Sequence, residues 1–196
     1  MSAPVPTPPP FPHPAEPSGV PAPIPTPLPF RLPTHLPPLE TLYFPSPSPN
    51  SAQPYILFFP GNPGLVQYYV AYLSTLSALT KLPILAVSHS GFYPGQTCAR
   101  DTPPGYWGLP DQVRHKIEII RWLAEEKGWD RVLLMGHSVG AYVLMEVIRE
   151  FKGKDEKAKV VGGVGLFPTL VDIGKSSGGR ALTVSNTAPR RGWTLL

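Results

Sequence analysis

The chain has 196 residues and a net charge of +4, enough for one domain built on one core. Its single cysteine, Cys98, excludes an internal disulfide and fits a reducing compartment. The basic residues are scattered, and charges of both signs alternate from Lys152 to Lys159 as on a solvated loop, so no nucleic-acid partner is expected.

Nineteen of the 29 prolines fall in residues 1–50. They predict a disordered, semi-rigid arm over residues 1–49, since proline cannot donate backbone hydrogen bonds and favours extended polyproline II. Pro6 to Pro9 and Pro14 to Pro17 have the Pro-x-x-Pro spacing of an SH3-type docking site. With Arg31 the only Lys or Arg in the arm, a plain spacer is the stronger reading. Thr41 to Phe44 read as a short edge strand. Pro54 to Phe59 lack alternation, which predicts a strand buried on both faces. Asn62 and Pro63 look like an N-cap and first helical residue, opening a helix from about Gly64 to Thr80 with Leu65, Tyr69, Tyr72, Leu76 and Leu79 on its inner side.

Pro83 to Ser88 form the next strand, and the long connection from His89 to Gly105 follows. A helix over Leu109–Lys127 carries Val113, Ile117, Ile120 and Ala124 on one stripe. A strand over Val132–Met135, a helix over Val139–Phe151 and a strand over Val160–Phe167 complete the series. Strand and helix alternation implies an α/β fold, a parallel sheet with right-handed crossovers and helices on both faces. Ligands bind at the carboxyl ends of such strands. Ser138, Asn62, His89 and the Phe167-Pro168-Thr169 turn all fall there. The amino terminus lacks the pattern of a signal peptide, and no apolar run approaches the ~18 residues of a membrane-spanning helix.

Gly136-His137-Ser138-Val139-Gly140 is a Gly-x-Ser-x-Gly turn between a strand and a helix. That setting lifts a serine hydroxyl clear of the strand end on a strained turn and makes Ser138 the candidate catalytic nucleophile. The Val139 N–H, at the helix N-terminus, is a candidate oxyanion donor.

The pattern resembles the α/β-hydrolase superfamily and, more closely, the lipid droplet-associated hydrolase family. The resemblance rests on Phe59-Pro60-Gly61-Asn62-Pro63-Gly64 with Tyr68-Tyr69, and on Ser88-His89-Ser90-Gly91. It extends to Leu109 with Gln112, His115 and Lys116, to Gly136–Tyr142, and to Leu166-Phe167-Pro168-Thr169, with Gly179-Arg180 a weaker last match. It covers roughly residues 54–183. It implies a serine hydrolase of a lipid ester at the lipid-droplet surface or the cytoplasmic face of the endoplasmic reticulum. No cofactor or metal is implied. Asn62 matches the turn that supplies the second oxyanion donor in this fold, which makes its backbone N–H the candidate, because Pro63 has none.

A serine hydrolase needs a base within reach of the serine and usually an acid behind it. In this superfamily both follow the serine in the chain, yet no histidine follows His137. The triad acid and base are therefore expected to be absent from the chain. His137 should turn away from Ser138, His115 reads as structural, and His13 and His35 lie in the arm. His89 is at the right sheet edge but two strands away, the one candidate for a surrogate base. Asp172 precedes no histidine and reads as a turn residue.

The sequence thus looks like a partial α/β-hydrolase domain over residues 50–183 with a non-family tail over 184–196. Val184-Ser185 is what reading through a splice donor would encode, so a retained intron is one expected origin of that tail. The competing function is a non-catalytic scaffold keeping part of the fold. An acyltransferase would use the same elbow.

Overall fold

The computed structural model describes residues 25–37, 39–47, 52–92, 108–170 and Lys175. Among the described residues five strands form one sheet: β1 (Thr41–Phe44), β2 (Tyr55–Phe59), β3 (Ile84–Val87), β4 (Arg131–His137) and β5 (Lys159–Leu166). Their spatial order is β1-β3-β2-β4-β5, with β1 antiparallel to β3 and the other pairs parallel. The helices are α1 (Val70–Thr80), α2 (Leu109–Glu126) and α3 (Val139–Phe151).

The apolar run of β2 is explained by layers on both sides of it. Leu57 and Phe59 share a core with Leu85, Leu134, α2 and α3. Ile56 and Phe58 share the opposite core with Ile84, Ala86, Met135 and Leu73 of α1. All five β2 residues are buried. The sheet is therefore covered by α1 on one face and by α2 and α3 on the other, the arrangement expected from strand and helix alternation.

Three sequence expectations are corrected. The arm does not stay unstructured up to residue 49. Residues 25–37 and 39–47 belong to the folded body, where Leu36, Leu42 and Phe44 are buried. Leu28 bridges Tyr43, and Phe30 packs against Tyr43, Trp122 and Trp129. The prolines remain compatible with this because the apolar residues between them supply the packing. The Pro-x-x-Pro spacings at Pro6–Pro9 and Pro14–Pro17 lie outside the described residues.

The helix expected from Gly64 starts later. Gly64 has φ +89°, in the left-handed region that ends rather than begins helical backbone. A 3-10 turn over Val66–Tyr69 then leads into α1. The shift moves the inner face to Val66, Leu73, Ser74 and Ser77, and Leu79 is 76% exposed. On α2 the inner face is wider than the aliphatic stripe, for Gln112, His115 and Lys116 are buried beside Ile119, Ile120 and Leu123. The α3 stripe of Val143, Val147 and Phe151 is buried as expected.

Candidate active site

β4 runs straight into the elbow. Ser138 has φ 51° and ψ −118°, a conformation in which an L residue carries strain of about 1–3 kcal/mol. The surroundings hold it there. Its N–H donates to the Leu166 carbonyl at 3.0 Å, and its carbonyl accepts from Ala141 at 3.0 Å and from Thr169 at 3.2 Å. The end of β5 thus clasps the elbow from one side. From the other, Gly140 lets α3 pass against β2, where any Cβ would overlap the Phe59 and Pro60 carbonyls. The Ser138 Oγ lies 3.3 Å from Thr169 Oγ1.

The Pro60–Gly64 loop leaves β2, the strand paired with β4, and so arrives beside the elbow. A Cβ built on Gly61 would stand 3.0 Å from Ser138 Cβ, so the two segments are in contact. The donors of this loop can be counted in full. Pro60 and Pro63 have no N–H. The Gly61 N–H donates to Tyr69 Oη at 2.9 Å, and the Gly64 N–H donates to the Gly61 carbonyl at 2.7 Å. Among the described residues this leaves the Asn62 N–H without a partner. Asn62 itself is exposed. The expectation that it caps the following helix fails, since the turn opens at Leu65 with no side-chain cap. The Val139 N–H opens the first turn of α3, where helix donors have no carbonyl before them.

The histidines fall where the sheet order dictates. His137 turns to Tyr69, its Nδ1 lying 2.8 Å from Tyr69 Oη. His35 is exposed, and His13 and Asp172 lie outside the described residues. His115 Nδ1 lies 2.7 Å from Ser90 Oγ inside the core. His89 stands at the end of β3, and β2 separates β3 from β4, so the structure does not bring His89 to Ser138. His89 is 5% exposed, and among the described residues neither ring nitrogen makes a well-formed hydrogen bond. Burial, then the charge of Lys116, lowers its pKa to about 3, against a weak opposing pull from the Pro60 carbonyl.

Sequence reasoning picked out Gln112, His115 and Lys116 together and marked His115 as structural, but not that they form a buried polar layer beneath His89. The Gln112 side chain pairs with both the Ser90 N–H and the Ser90 carbonyl, at 2.8 and 3.0 Å. Lys116, wholly buried, donates to the Ser88 carbonyl at 2.6 Å, and desolvation lowers its pKa to about 7. Three polar residues at i, i+3 and i+4 were the available signal, because they share one helix face. Sequence reasoning also gave Tyr69 no polar role and Thr169 no contact with Ser138.

A strained serine between a parallel strand and a helix, facing a loop from the neighbouring strand, is the geometry of an α/β-hydrolase elbow. The family model described as lipid-droplet associated hydrolase matches residues 52–191. The chain belongs to this family. The lipid droplet-associated hydrolase of Rattus norvegicus is 31% identical over 141 residues, covering 65% of this chain and 41% of the relative. That of Dictyostelium discoideum is 29% identical over 142 residues, covering 68% of this chain and 43% of the relative. The chain spans about two fifths of the length of these relatives.

Among solved structures, an alpha-beta serine hydrolase homologue from Coxiella burnetii matches with a TM-score of 0.50 and 19% identity, over 74% of this chain and 62% of that one. The mouse alpha/beta hydrolase domain-containing protein 10 matches with a TM-score of 0.50 and 14% identity, over 69% and 47%. Identities this low speak to the fold alone. The match to the lipid-droplet associated hydrolase family runs past Thr183, where the motif resemblance ended, and takes in part of the segment read as a non-family tail.

Proposed function

We propose that this chain carries the nucleophile half of a serine hydrolase acting on a lipid ester at the surface of a lipid droplet. Ser138 is the nucleophile, and the Val139 and Asn62 N–H groups receive the oxyanion. The observation that carries this reading is the strained Ser138 backbone held beside a loop whose one unpartnered N–H, among the described residues, is that of Asn62. In the reaction the Ser138 oxygen attacks the ester carbonyl as a general base takes its proton, and the negative charge passes to the carbonyl oxygen. Two pre-oriented N–H groups stabilise that charge better than water, which must first reorganise. Collapse expels the alcohol, which takes up the proton that left Ser138, and leaves an acyl-enzyme that water cleaves to regenerate the serine. The lipid class and the droplet location are drawn from the names of the relatives. No helix among the described residues is long and apolar enough to cross a membrane, which accords with attachment at a surface.

One observation favours a non-catalytic scaffold for the 196-residue chain itself. The described partner of Ser138 Oγ is Thr169, a hydroxyl that cannot serve as a base at neutral pH. The test is Ser138→Ala in a form with measurable esterase activity. Hydrolysis of a lipid ester is expected to fall at least about 10⁴-fold while the fold is kept, since only a turn hydroxyl is removed. Hydrolysis at the parent rate would show that Ser138 is not the nucleophile.

A further inference from the structure

Two hydrogen bonds link the elbow to the Pro60–Gly64 loop through one side chain. The Tyr69 hydroxyl accepts the Gly61 N–H at 2.9 Å and lies 2.8 Å from His137 Nδ1. The phenolic oxygen can accept from Gly61 and also pair with Nδ1 whichever ring nitrogen of His137 carries the proton, so one hydroxyl bridges the two segments in either tautomer. The two residues so joined, Gly61 and His137, each precede a functional group by one peptide: Asn62 with its unpartnered N–H, and Ser138 with its hydroxyl. The segments also touch. A Cβ on Gly61 would stand 2.6 Å from His137 Nδ1. Tyr69 is itself braced, its ring centroid 4.7 Å from that of Phe58, and Phe167 packs edge-on against His137 at 6.2 Å.

We propose that Tyr69 and His137 form a clamp that fixes the tilt and distance of the Asn62 N–H relative to Ser138. They are positioning residues; neither touches the reacting atoms. The proposal rests on reading Ser138 as the nucleophile and the Asn62 N–H as an oxyanion donor. Its physical content is angular. Freeing the Gly61 N–H unpins the Pro60–Gly61 peptide, and Gly61, having no Cβ, then lets the adjoining Gly61–Asn62 peptide turn so that its N–H no longer meets the developing charge. A misplacement of about 1 Å can cost about 10²-fold in rate.

The test compares the parent chain with Tyr69→Phe, His137→Ala and the double variant. Each is reacted with a fluorophosphonate, with the maximal labelling rate of Ser138 separated from the concentration dependence. Phosphonylation develops charge on the P=O oxygen, so it reads the oxyanion site even where turnover is slow. The expected result is a labelling rate about 10–100-fold lower for each single variant, with half-saturation changed less than about two-fold. The double variant should lose no more than the worse single one, because both act through one clamp. Amide exchange at Gly61 should speed up in Tyr69→Phe with the melting temperature little changed. Parent-rate labelling of Tyr69→Phe, when Ser138→Ala does not label, would overturn the clamp and leave the nucleophile reading standing. Labelling of Ser138→Ala at the parent rate would overturn the nucleophile reading instead. If Tyr69→Phe does not fold, His137→Ala makes the same test from the other end.

Discussion

At the scale of single residues, the site is defined by conformations and donors that ordinary side chains could not supply. Ser138 holds φ 51° because Leu166, Thr169 and the helix start all bond to its backbone. This much was legible in Gly-x-Ser-x-Gly, since that spacing puts Cβ-free residues where chains must cross. The Tyr69 hydroxyl was not legible. A tyrosine in a helical apolar stripe looks the same whether its oxygen is in solvent or bonded to a loop. Lys116 was hidden for a related reason, because a lysine on an amphipathic helix normally marks the outer face. Its burial with His89 gives a pH prediction. His89 titrates near 6.5 when unfolded and near 3 when folded, so the unfolded state takes up a proton first as pH falls. Stability is complete above 6.5 and declines between 6.5 and 3, by at most about 1.4 kcal/mol per pH unit for this group. Lys116 acts with the same sign in a higher window, from 10.5 down to about 7, where the unfolded chain again holds the extra proton. Denaturant unfolding across pH should therefore show stability rising towards alkaline pH in both windows. His89→Asn should reduce the acid slope, with buried His115, lowered to about 4, supplying the remainder, and an unchanged slope in that variant would remove His89 from the explanation.

At the scale of elements, five strands and two helices were readable within a residue or two, because apolar runs and 3.6-residue stripes are set by which faces must leave water. What failed was decided by tertiary context. The start of α1 depended on the left-handed backbone of Gly64, which no propensity encodes. The proline arm was misjudged because composition was weighed above its apolar residues. Leu36, Leu42 and Phe44 are each buried, a contribution of about 1.5–3 kcal/mol apiece. Their sum is comparable to the whole stability of a typical domain, about 5–15 kcal/mol. Deleting residues 1–24 is expected to leave the melting temperature nearly unchanged, since that segment is mostly proline and small residues. Deleting 1–49 should abolish cooperative melting, because it also removes β1 and the Phe30 contacts with Trp122 and Trp129. Circular dichroism melts of the two truncations decide the matter. A 50–196 chain melting like the parent would restore the view of the arm as a spacer.

At the scale of the whole molecule, the sheet gathers Ser138, the Asn62 loop and Thr169 at the carboxyl ends of β2, β4 and β5 and leaves His89 one strand further out. The proposed nucleophile and both proposed oxyanion donors are in place, while no histidine follows His137 in the sequence. The chain should thus be organised for attack yet slow to perform it. In a serine hydrolase the loss of triad members costs about 10⁴–10⁶-fold. The most direct measurement is a fluorophosphonate labelling time course of the 196-residue chain with peptide mass mapping. The account predicts a single adduct, on Ser138, accumulating orders of magnitude more slowly than on an ordinary serine esterase. An adduct on another residue would contradict Ser138 as the nucleophile, and rapid labelling at Ser138 would contradict the expectation that the chain lacks a base.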